Sequence, residues 1–266
     1  MTRRHDLDAL ADAAVAAARA GGAIVVDHYG AARDVREKAP GDWVSEADLH
    51  SERTIRDVLR EAAPEIPVFG EEAGGERGEL GWLVDPLDGT SNFLHRFPAV
   101  GVSVGLVRDA RPVVGVVHAP LLRDEYVALD GRGTFRNGEP VRVSTRDPDQ
   151  AICATGFPFR HKERLPGYLR AFDAALERFE DLRRPGAASL DLAWTASGTF
   201  DGFFELALGP WDVAAGALLV REAGGVVTDW DGDDARWLDT GNIVAAPPQV
   251  HEVMLELARA SGAASA

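Results

Sequence analysis

The stretch Trp82-Leu83-Val84-Asp85-Pro86-Leu87-Asp88-Gly89-Thr90-Ser91-Asn92 decides how the rest of this chain is interpreted. Its apolar triplet is typical of the end of a β-strand, and it leads two carboxylates into a turn bounded by proline and glycine. Two carboxylates this close repel each other unless a cation lies between them, and hard oxygen ligands suit Mg²⁺. Thr90 and Ser91 mark the start of a short helix, where backbone N–H groups can meet a phosphate. The stretch therefore indicates phosphate-ester chemistry.

The composition favours one globular unit of 266 residues, of which 45% are hydrophobic. No Pro/Ser-rich linker divides the chain, so we expect a single domain (1–266) with subdomains at about 1–148 and 149–266. The net charge of −15 argues against nucleic acid as the main partner. Cys153 is the single cysteine, which excludes an internal disulfide and fits a reducing cytoplasm. No uninterrupted apolar run approaches the roughly 18–20 residues of a membrane span, and the first residues do not resemble a signal peptide.

Helical and strand patterns alternate along the chain. They predict helices at 6–29, 45–63, 161–178, 190–197, 211–223 and 248–259. They predict strands at 68–69, 101–107, 112–117, 124–129, 151–155, 200–206, 226–228 and 243–245. The strands between 100 and 143 are expected to form an antiparallel meander, with a hairpin at Asn137-Gly138. Residues 73–81 are predicted to be a mobile loop, and residues 261–266 a frayed end.

Four acids stand out because each follows an apolar segment or a tryptophan where the chain changes direction: Glu71, Asp85, Asp88 and Asp212. Two-metal phosphoryl transfer needs three or four carboxylates, one of which bridges the two ions, and Asp85 is the candidate bridge. Simpler interpretations remain open at this point. Aspartates beside proline and glycine, as at Asp85 and Asp88, are common in polar turns. Glu71 can be an ordinary loop acid, and Asp212 can be the residue that caps the start of a helix.

Four blocks in order carry a family resemblance: Gly70-Glu71-Glu72, Asp85-Pro-Leu-Asp-Gly-Thr-Ser-Asn-Phe93 with His95-Arg96-Phe97-Pro98, Gly209-Pro-Trp-Asp-Val-Ala-Ala-Gly216 and Glu222-Ala-Gly-Gly225. Over about residues 7 to 258 the chain resembles the inositol monophosphatase family of Mg²⁺-dependent, lithium-sensitive phosphatases. The resemblance implies an α/β fold, a layered α-β-α-β-α sandwich of the sugar-phosphatase (inositol monophosphatase and fructose-1,6-bisphosphatase-like) type. It also implies a homodimer.

The same resemblance implies the metal ligands. Glu71, Asp85 and the Leu87 carbonyl would hold a first Mg²⁺, whose bound water is the nucleophile. Asp85, Asp88 and Asp212 would hold a second Mg²⁺ that stabilises the leaving oxygen. A third, weaker Mg²⁺ would bind through Glu71 and water.

The resemblance further implies how phosphate and water are held. Gly89 and Thr90 would donate backbone N–H groups to the phosphate. The Thr90 hydroxyl, oriented by Asp48, would position or deprotonate the attacking water together with Glu71. Lys38 stands where bacterial relatives carry a lysine near the phosphate, although a surface lysine in a loop is an equally simple interpretation.

Substrate recognition is implied for Asp88, for Gly186, Ala187 and Ala188, and for Glu205. A carboxylate that accepts hydrogen bonds from hydroxyl groups is suited to a sugar or cyclitol, and the alternative for Glu205 is a surface acid at a strand end. The following residues, 206–210, carry no polar side chain, so one potential substrate contact is missing.

We therefore expect Mg²⁺-dependent hydrolysis of a small polyol phosphate, with myo-inositol 1-phosphate as the first candidate. Related substrates remain open: fructose 1,6-bisphosphate, histidinol phosphate or a nucleotide phosphate. A more distant alternative is a non-catalytic adaptor of transcription or ribosome assembly. Other phosphate chemistries do not fit, because the chain has no Gly-Lys-Ser/Thr loop, and Cys153 and Arg160 are wrongly spaced for a thiolate phosphatase.

Overall fold

The computed structural model describes residues 6–39 and 41–263, so the predictions for residues 1–5 and 264–266 lie outside it. Its helices are α1 (Leu7–His28), α2 (Glu46–Ala62), α3 (Thr90–Leu94), α4 (Leu165–Arg178), α5 (Ala188–Ala196), α6 (Pro210–Glu222), α7 (Trp237–Thr240) and α8 (Pro248–Ser261). Its strands are β1 (Arg36–Ala39), β2 (Asp42–Val44), β3 (Val68–Gly70), β4 (Leu80–Asp88), β5 (Gly101–Arg108), β6 (Arg111–Ala119), β7 (Asp124–Leu129), β8 (Gly133–Arg136), β9 (Glu139–Val141), β10 (Ile152–Thr155), β11 (Asp181–Arg183), β12 (Gly202–Glu205), β13 (Val226–Thr228) and β14 (Ile243–Ala246).

The first sheet has seven strands in sequence order, from β3 to β9. Only β3 and β4 pair in parallel, and the remaining neighbours are antiparallel, which confirms the predicted meander. Asn137 and Gly138 connect β8 to β9, and both have positive φ, at 52° and 83°. Two central residues with positive φ match the twist of the flanking strands, which is why an Asn-Gly pair predicts this hairpin.

The second sheet has five strands in the order β11-β10-β12-β14-β13. β10 pairs in parallel with β11 and β12, whereas β14 pairs antiparallel with β12 and β13. β12 is therefore central, and its last residue, Glu205, stands at the end of the sheet that faces the cleft described below.

Three buried clusters define five layers. α1 and α2 pack on one face of the first sheet, with Ala17, Ile55 and Val104 fully buried between them. α5 and α6 fill the space between the two sheets. α4 and α8 cover the far face of the second sheet, where Tyr168 and Met254 are buried. This is the predicted α-β-α-β-α sandwich, in which each amphipathic element buries its apolar face against a neighbour.

The middle layer joins the two halves of the chain. α6 follows residue 148 but packs directly on the first sheet, where a Cβ atom at Gly115 would lie 2.6 Å from the Ala215 carbonyl oxygen. Glycine at this position thus permits the close approach of helix and strand. Because one continuous core contains residues from both sides of 148–149, we propose that the chain folds as a single domain with that topological boundary.

Several sequence predictions were wrong in detail. The β1–β2 hairpin, β11 and α7 were not predicted, because they are short and β1 and β11 have little apolar pattern. β4 begins at Leu80, so the predicted loop 73–81 is shorter than expected. The frayed end does not begin at residue 261: Ser261 ends α8 and accepts a hydrogen bond from Arg170, and Ala263 is fully buried.

Within the described residues, α1 is long and apolar enough to cross a membrane by length and composition alone. Its most apolar window has a mean hydropathy of 1.6, and half of that window is buried inside the protein. The buried residues pack on α2 and on the first sheet, which is the arrangement of an amphipathic core helix.

Candidate active site

A β-bulge in β4 brings the two central carboxylates to one face of the sheet. Asp85 pairs with Ser103 and Asp88 pairs with Gly101, so β4 contains one more residue than β5 over this interval. In a regular strand, side chains three residues apart point to opposite faces. The extra residue, at a point where Pro86 has no N–H to donate, returns both acids to the face that packs on α5 and α6. The predicted turn at Asp85 and Asp88 is therefore a bulged strand.

Most of the predicted site residues line one cleft between the two sheets. They are Glu71, Asp85, Leu87, Asp88, Gly89, Thr90, Gly186, Ala188, Glu205 and Asp212. Three further predicted residues, Ala187, Asp48 and Lys38, do not line it. Ala187 is buried beside Gly186, while Asp48 and Lys38 are hydrogen-bonded to residues that do line it.

Backbone hydrogen bonds hold the two bulge acids in place. Asp85 accepts a hydrogen bond from the Leu87 N–H at 2.9 Å. One Asp88 oxygen accepts hydrogen bonds from both the backbone N–H and the hydroxyl of Ser189, at 2.7 and 2.5 Å. Each acid therefore keeps at least one oxygen outside these bonds, which leaves it available to a cation.

The next residues turn the strand into a helix. Gly89 has φ +87°, and a Cβ atom there would lie 2.9 Å from the Ala99 carbonyl oxygen, so only glycine fits. The Thr90 hydroxyl donates to Asp48 Oδ1 at 2.9 Å and lies 3.1 Å from the Leu87 carbonyl oxygen. Asp48 Oδ2 accepts hydrogen bonds from the backbone and hydroxyl of Ser45, which caps α2. Asp48 thus has two structural roles, because it completes the capping box of α2 and also accepts the hydrogen bond from Thr90.

The turn that contains Glu71 is held by a buried ion pair that the sequence interpretation missed. Glu52 and Arg56, one turn apart on α2, are joined at 2.7 Å. Glu52 accepts the N–H groups of residues 72 and 73, and Arg56 donates to the carbonyls of residues 68 and 74. These bonds shape the turn that carries Glu71. Acid and base four residues apart on a helix are usually exposed, so the sequence offers no signal for this role.

Asp212 enters the cleft from the first turn of α6. It accepts a hydrogen bond from the Gly209 N–H at 2.7 Å, as expected for a residue that caps a helix. Ser103, which pairs with Asp85 across the bulge, donates its hydroxyl to the Trp211 carbonyl at 2.9 Å and fixes this end of α6 to the first sheet. The helix-capping interpretation and the ligand interpretation of Asp212 are thus compatible.

The acids of the cluster lie close together and are shielded from water, and both effects disfavour their ionised forms. Burial raises the pKa of Asp85 well above its ordinary range, and the charges of Glu71, Asp88 and Asp212 raise it further. Burial also raises the pKa of Asp88 to about 6, against the hydrogen bonds from Ser189. Burial, followed by the charges of Glu71 and Asp88, raises the pKa of Asp212 to about 8. Each of these acids would be stabilised in its ionised form by a nearby cation.

Lys38 supplies the cation nearest to Glu71 among the described residues. Its ammonium lies 3.0 Å from Glu71 and 2.7 Å from Glu72, and 3.7 Å from Asp42. Burial lowers the pKa of Lys38, but the neighbouring carboxylates outweigh burial and hold it above its ordinary value. The lysine therefore remains charged and shows that this corner of the cleft accepts positive charge.

The donor set fits hard divalent cations. Glu71, Asp85, Asp88 and Asp212 offer only oxygen atoms as ligands. Within residues 6–39 and 41–263 no matching set of basic side chains compensates their charge. Oxygen ligands with room for water suit Mg²⁺. These four residues and the Leu87 carbonyl would therefore hold the metal.

The other wall of the cleft carries the predicted substrate residues. Glu205 is half-buried, and its carboxylate occupies the space that a side chain at Gly156 would fill, within about 2.0 Å of that position. Burial raises the pKa of Glu205 to about 8, against the charges of Arg184 and Arg160. Gly186, with φ +86°, is held beside α3 because Asn92 donates to the Pro185 carbonyl at 2.9 Å.

Sequence reasoning missed the basic and aromatic part of this wall. Arg184, Arg160 and Phe159 line the cleft, and the Arg184 guanidinium lies 5.3 Å from the centre of the Phe159 ring. Arg160 also forms a salt bridge with Asp42 at 2.6 Å. Isolated arginines belong to no motif, so the sequence gives no signal that these two line the cleft.

The raised pKa values predict how the stability of the metal-free protein depends on pH. The pKa values of Asp88 and Asp212 lie above the ordinary aspartate pKa of 3.8, so both acids bind protons more tightly in the folded chain than in the unfolded chain. Between that value and about 8, the folded state holds more protons, so the free energy of unfolding falls as pH rises. We expect a lower melting temperature at about pH 8 than at about pH 5.5 in EDTA. A D212N variant should show a weaker dependence, whereas a melting temperature that rises through this window would contradict the assignment.

Comparison with known proteins is consistent with this geometry. The sequence model of the inositol monophosphatase family matches residues 6–263. Nus factor SuhB of Escherichia coli is 42% identical over 248 residues, which are 91% of this chain and 92% of that protein. The crystal structure of extragenic suppressor protein SuhB from Bartonella henselae has a TM-score of 0.88 at 37% identity, covering 93% of this chain and 97% of its own.

A third similar protein is known by an enzyme name. The structure of an inositol monophosphatase from Anabaena has a TM-score of 0.86 at 32% identity and covers 96% of this chain and 97% of its own. Sequence and fold are thus similar along almost the whole of each chain. The chain belongs to the inositol monophosphatase family.

Proposed function

We propose that this protein hydrolyses the phosphate monoester of a small polyol, with Mg²⁺ as cofactor and myo-inositol 1-phosphate as the first substrate to test. One observation carries the proposal: the bulge in β4 directs Asp85 and Asp88 to the face where Asp212 and Glu71 also line the cleft. Such a set suits two or three divalent ions, and a phosphate ester is the anion that such ions bind and activate.

The chain's own residues would hold the phosphate and the attacking water. Bound Mg²⁺ would neutralise phosphate charge and lower the pKa of water. The backbone N–H groups of Gly89 and Thr90 would donate to phosphate oxygens at the start of α3. The Thr90 hydroxyl would receive a proton from water as it passes its own proton to Asp48 Oδ1. Burial raises the pKa of Asp48, which makes it a better proton acceptor than an exposed carboxylate.

Polyol recognition would fall to the opposite wall. The Glu205 carboxylate would accept hydrogen bonds from ring hydroxyls, and Arg184 and Arg160 favour its ionised form. Gly186 and Ala188 would leave space for a polyol ring to contact this wall, because neither has a long side chain. The apolar residues that follow Glu205 lack a polar side chain, which limits how finely one polyol can be distinguished from another.

The substrate class is tested by phosphate release in Mg²⁺ from a panel of inositol 1-phosphate, fructose 1,6-bisphosphate, histidinol phosphate and nucleotide phosphates. We expect the highest kcat/KM on inositol phosphates. The E205Q variant should lose about tenfold of its preference between polyols and retain its Mg²⁺ requirement, since the amide is uncharged and has one accepting oxygen in place of two. Higher activity on another member of the panel would keep the hydrolytic mechanism and replace the substrate. A changed Mg²⁺ requirement in E205Q would instead assign Glu205 to the metal site.

Two further expectations belong to the same proposal. We propose that the protein acts as a homodimer, which light scattering of the purified chain tests directly. We also propose that it works in the cytoplasm on a small-molecule ester, because the known bacterial relatives named above are similar along nearly the whole chain.

A second candidate function rests on those relatives' names. The similarity to proteins called Nus factor SuhB favours an adaptor role in transcription or ribosome assembly. The test is co-purification of the transcription machinery with the tagged wild-type protein and with D85N. Equal capture by both, without phosphate release from any ester by the wild type, would favour the adaptor role alone.

A further inference from the structure

Two helices bring two histidines and a glutamate together outside the catalytic cleft. His28 is the last residue of α1, and Glu46 and His50 lie one turn apart at the start of α2. Residues four apart share a helix face, and the two helices pack against each other as the outer layer of the sandwich. None of the three lines the cleft that contains Asp85. Their sequence positions, 28, 46 and 50, give no familiar metal-binding spacing.

The three side chains converge closely enough to share one ion. One ligand atom from each lies within 4.8 Å of the others, and His50 Nε2 is 3.8 Å from Glu46 Oε1. The centres of the two imidazole rings are 5.7 Å apart, with the planes at 80°. Ligand atoms in a tetrahedral zinc site are about 3.3 Å apart when each bond is about 2.0–2.1 Å. Small side-chain rotations would therefore complete the geometry.

A second observation concerns the orientation of His28. Its Nδ1 atom lies 2.9 Å from the Ile24 carbonyl oxygen, which can only accept a hydrogen bond. A neutral imidazole satisfies this contact only with its proton on Nδ1, which leaves the Nε2 lone pair for an ion. Metal-bound histidines are usually fixed in this way, with the second nitrogen donating to a carbonyl or carboxylate. The hydrogen bond thus prepares His28 as a ligand before any ion binds.

We propose that His28, Glu46 and His50 form a binding site for a zinc-class divalent ion. Two imidazole nitrogens and one carboxylate oxygen select zinc over Mg²⁺, which prefers oxygen alone. The Glu46 and His50 side chains are 31% and 40% exposed, so an ion can enter and a water molecule can complete its coordination. The site is independent of the proposed phosphatase activity.

A bound ion would tie the end of α1 to the start of α2. Asp48, which holds Thr90, lies between Glu46 and His50 on that first turn of α2. The ion would therefore stabilise the segment that carries Asp48, and its affinity for the folded chain would appear as a rise in melting temperature.

The test uses the full-length protein in the D85N background with saturating Mg²⁺, so that the catalytic carboxylates compete as little as possible for the probe. Zn²⁺ binding is measured by titration calorimetry, and Co²⁺ binding by visible absorption, which is stronger for four- or five-coordinate sites containing nitrogen than for six-coordinate carboxylate sites. The variants are H28Q, H50Q and E46Q. The matched control is H161Q, because His161 also pairs with a glutamate, Glu163, at 3.1 Å. Melting temperatures in EDTA verify that each variant folds.

We expect one Zn²⁺ per chain and intense cobalt bands in the parent and in H161Q. H28Q, H50Q and E46Q should each bind about tenfold more weakly or worse, since even residues that only support metal ligands carry losses of this size. Equal Zn²⁺ affinity in H50Q and in the parent would overturn the proposal. So would a parent protein without zinc binding or with only weak cobalt bands.

Discussion

The D85N variant is expected to release phosphate at less than about 1% of the wild-type rate, because a bridging ligand serves both ions of a two-metal site. Asp85 is fully enclosed and lies within the electrostatic reach of Glu71, Asp88 and Asp212. Asparagine keeps a side-chain oxygen that can accept the Leu87 N–H, so the bulge should survive. The measurement is phosphate release at saturating Mg²⁺ and substrate. A variant that keeps more than about a tenth of kcat would contradict the assignment of Asp85 as the bridge.

The same variant has a stability signature that separates lost chemistry from lost structure. The raised pKa of Asp85 means that the metal-free protein loses stability at about pH 8, where the unfolded chain ionises this acid freely. Asparagine cannot ionise, so D85N should melt at a higher temperature than the wild type in EDTA at that pH. The matched control is D201N. Asp201 is equally buried, but it lies away from the cleft, where its carboxylate accepts hydrogen bonds from Arg146 and from the Ile152 N–H. D201N should retain activity and melt at a lower temperature, the opposite pattern.

Removal of divalent metal is expected to have an effect of similar size. Among the residues that the structure describes, the four acids of the cleft have no comparable set of basic partners, and Lys38 contacts Glu71 alone of the four. EDTA should therefore reduce phosphate release to below about 1%, and added Mg²⁺ should restore it, since the ion supplies the positive charge that the phosphate meets. Activity that persists after exhaustive chelation would assign catalysis to the side chains alone.

Lithium refines the same experiment. A monovalent ion can occupy a weakly held oxygen site without matching the charge of Mg²⁺, so it should inhibit the Mg²⁺-activated protein. The expected inhibition appears at up to tens of millimolar, on the order of the affinities of weak hard-cation sites. If lithium does not inhibit over that range while Mg²⁺ activates normally, the third ion site is arranged differently from the one proposed.

The fold was predictable where the residue pattern has a clear period. α1, α2 and β5 to β7 were found within one or two residues of their ends, because apolar residues recur at helical or alternating spacing there. β1 was missed because all four of its residues are exposed and carry no such pattern. α7 was missed because a helix of four residues is too short to show a period.

The site was predictable in its residue types and only partly in its shape. The motif at 85–93 predicted carboxylates, a glycine turn and a short helix, all of which are present. The bulge was not predicted, since a Pro- and Gly-bounded pair of acids fits a simple turn equally well. Glu52, Arg56 and His28 were missed for a different reason: their partners are distant in sequence, and only the packing of α1, α2 and the first sheet brings them together.

The extra residue in β4 gives Asp85 and Asp88 a common direction at a spacing of three residues. If β4 paired regularly with β5 at that spacing, the two acids would lie on opposite faces of the sheet. Deletion of Leu87 would restore regular pairing and keep both acids on one face, two residues apart, but it would remove the Leu87 carbonyl. Transfer of this carboxylate pair, with its three-residue spacing, to another antiparallel sheet therefore requires the irregular backbone as well as the two acids.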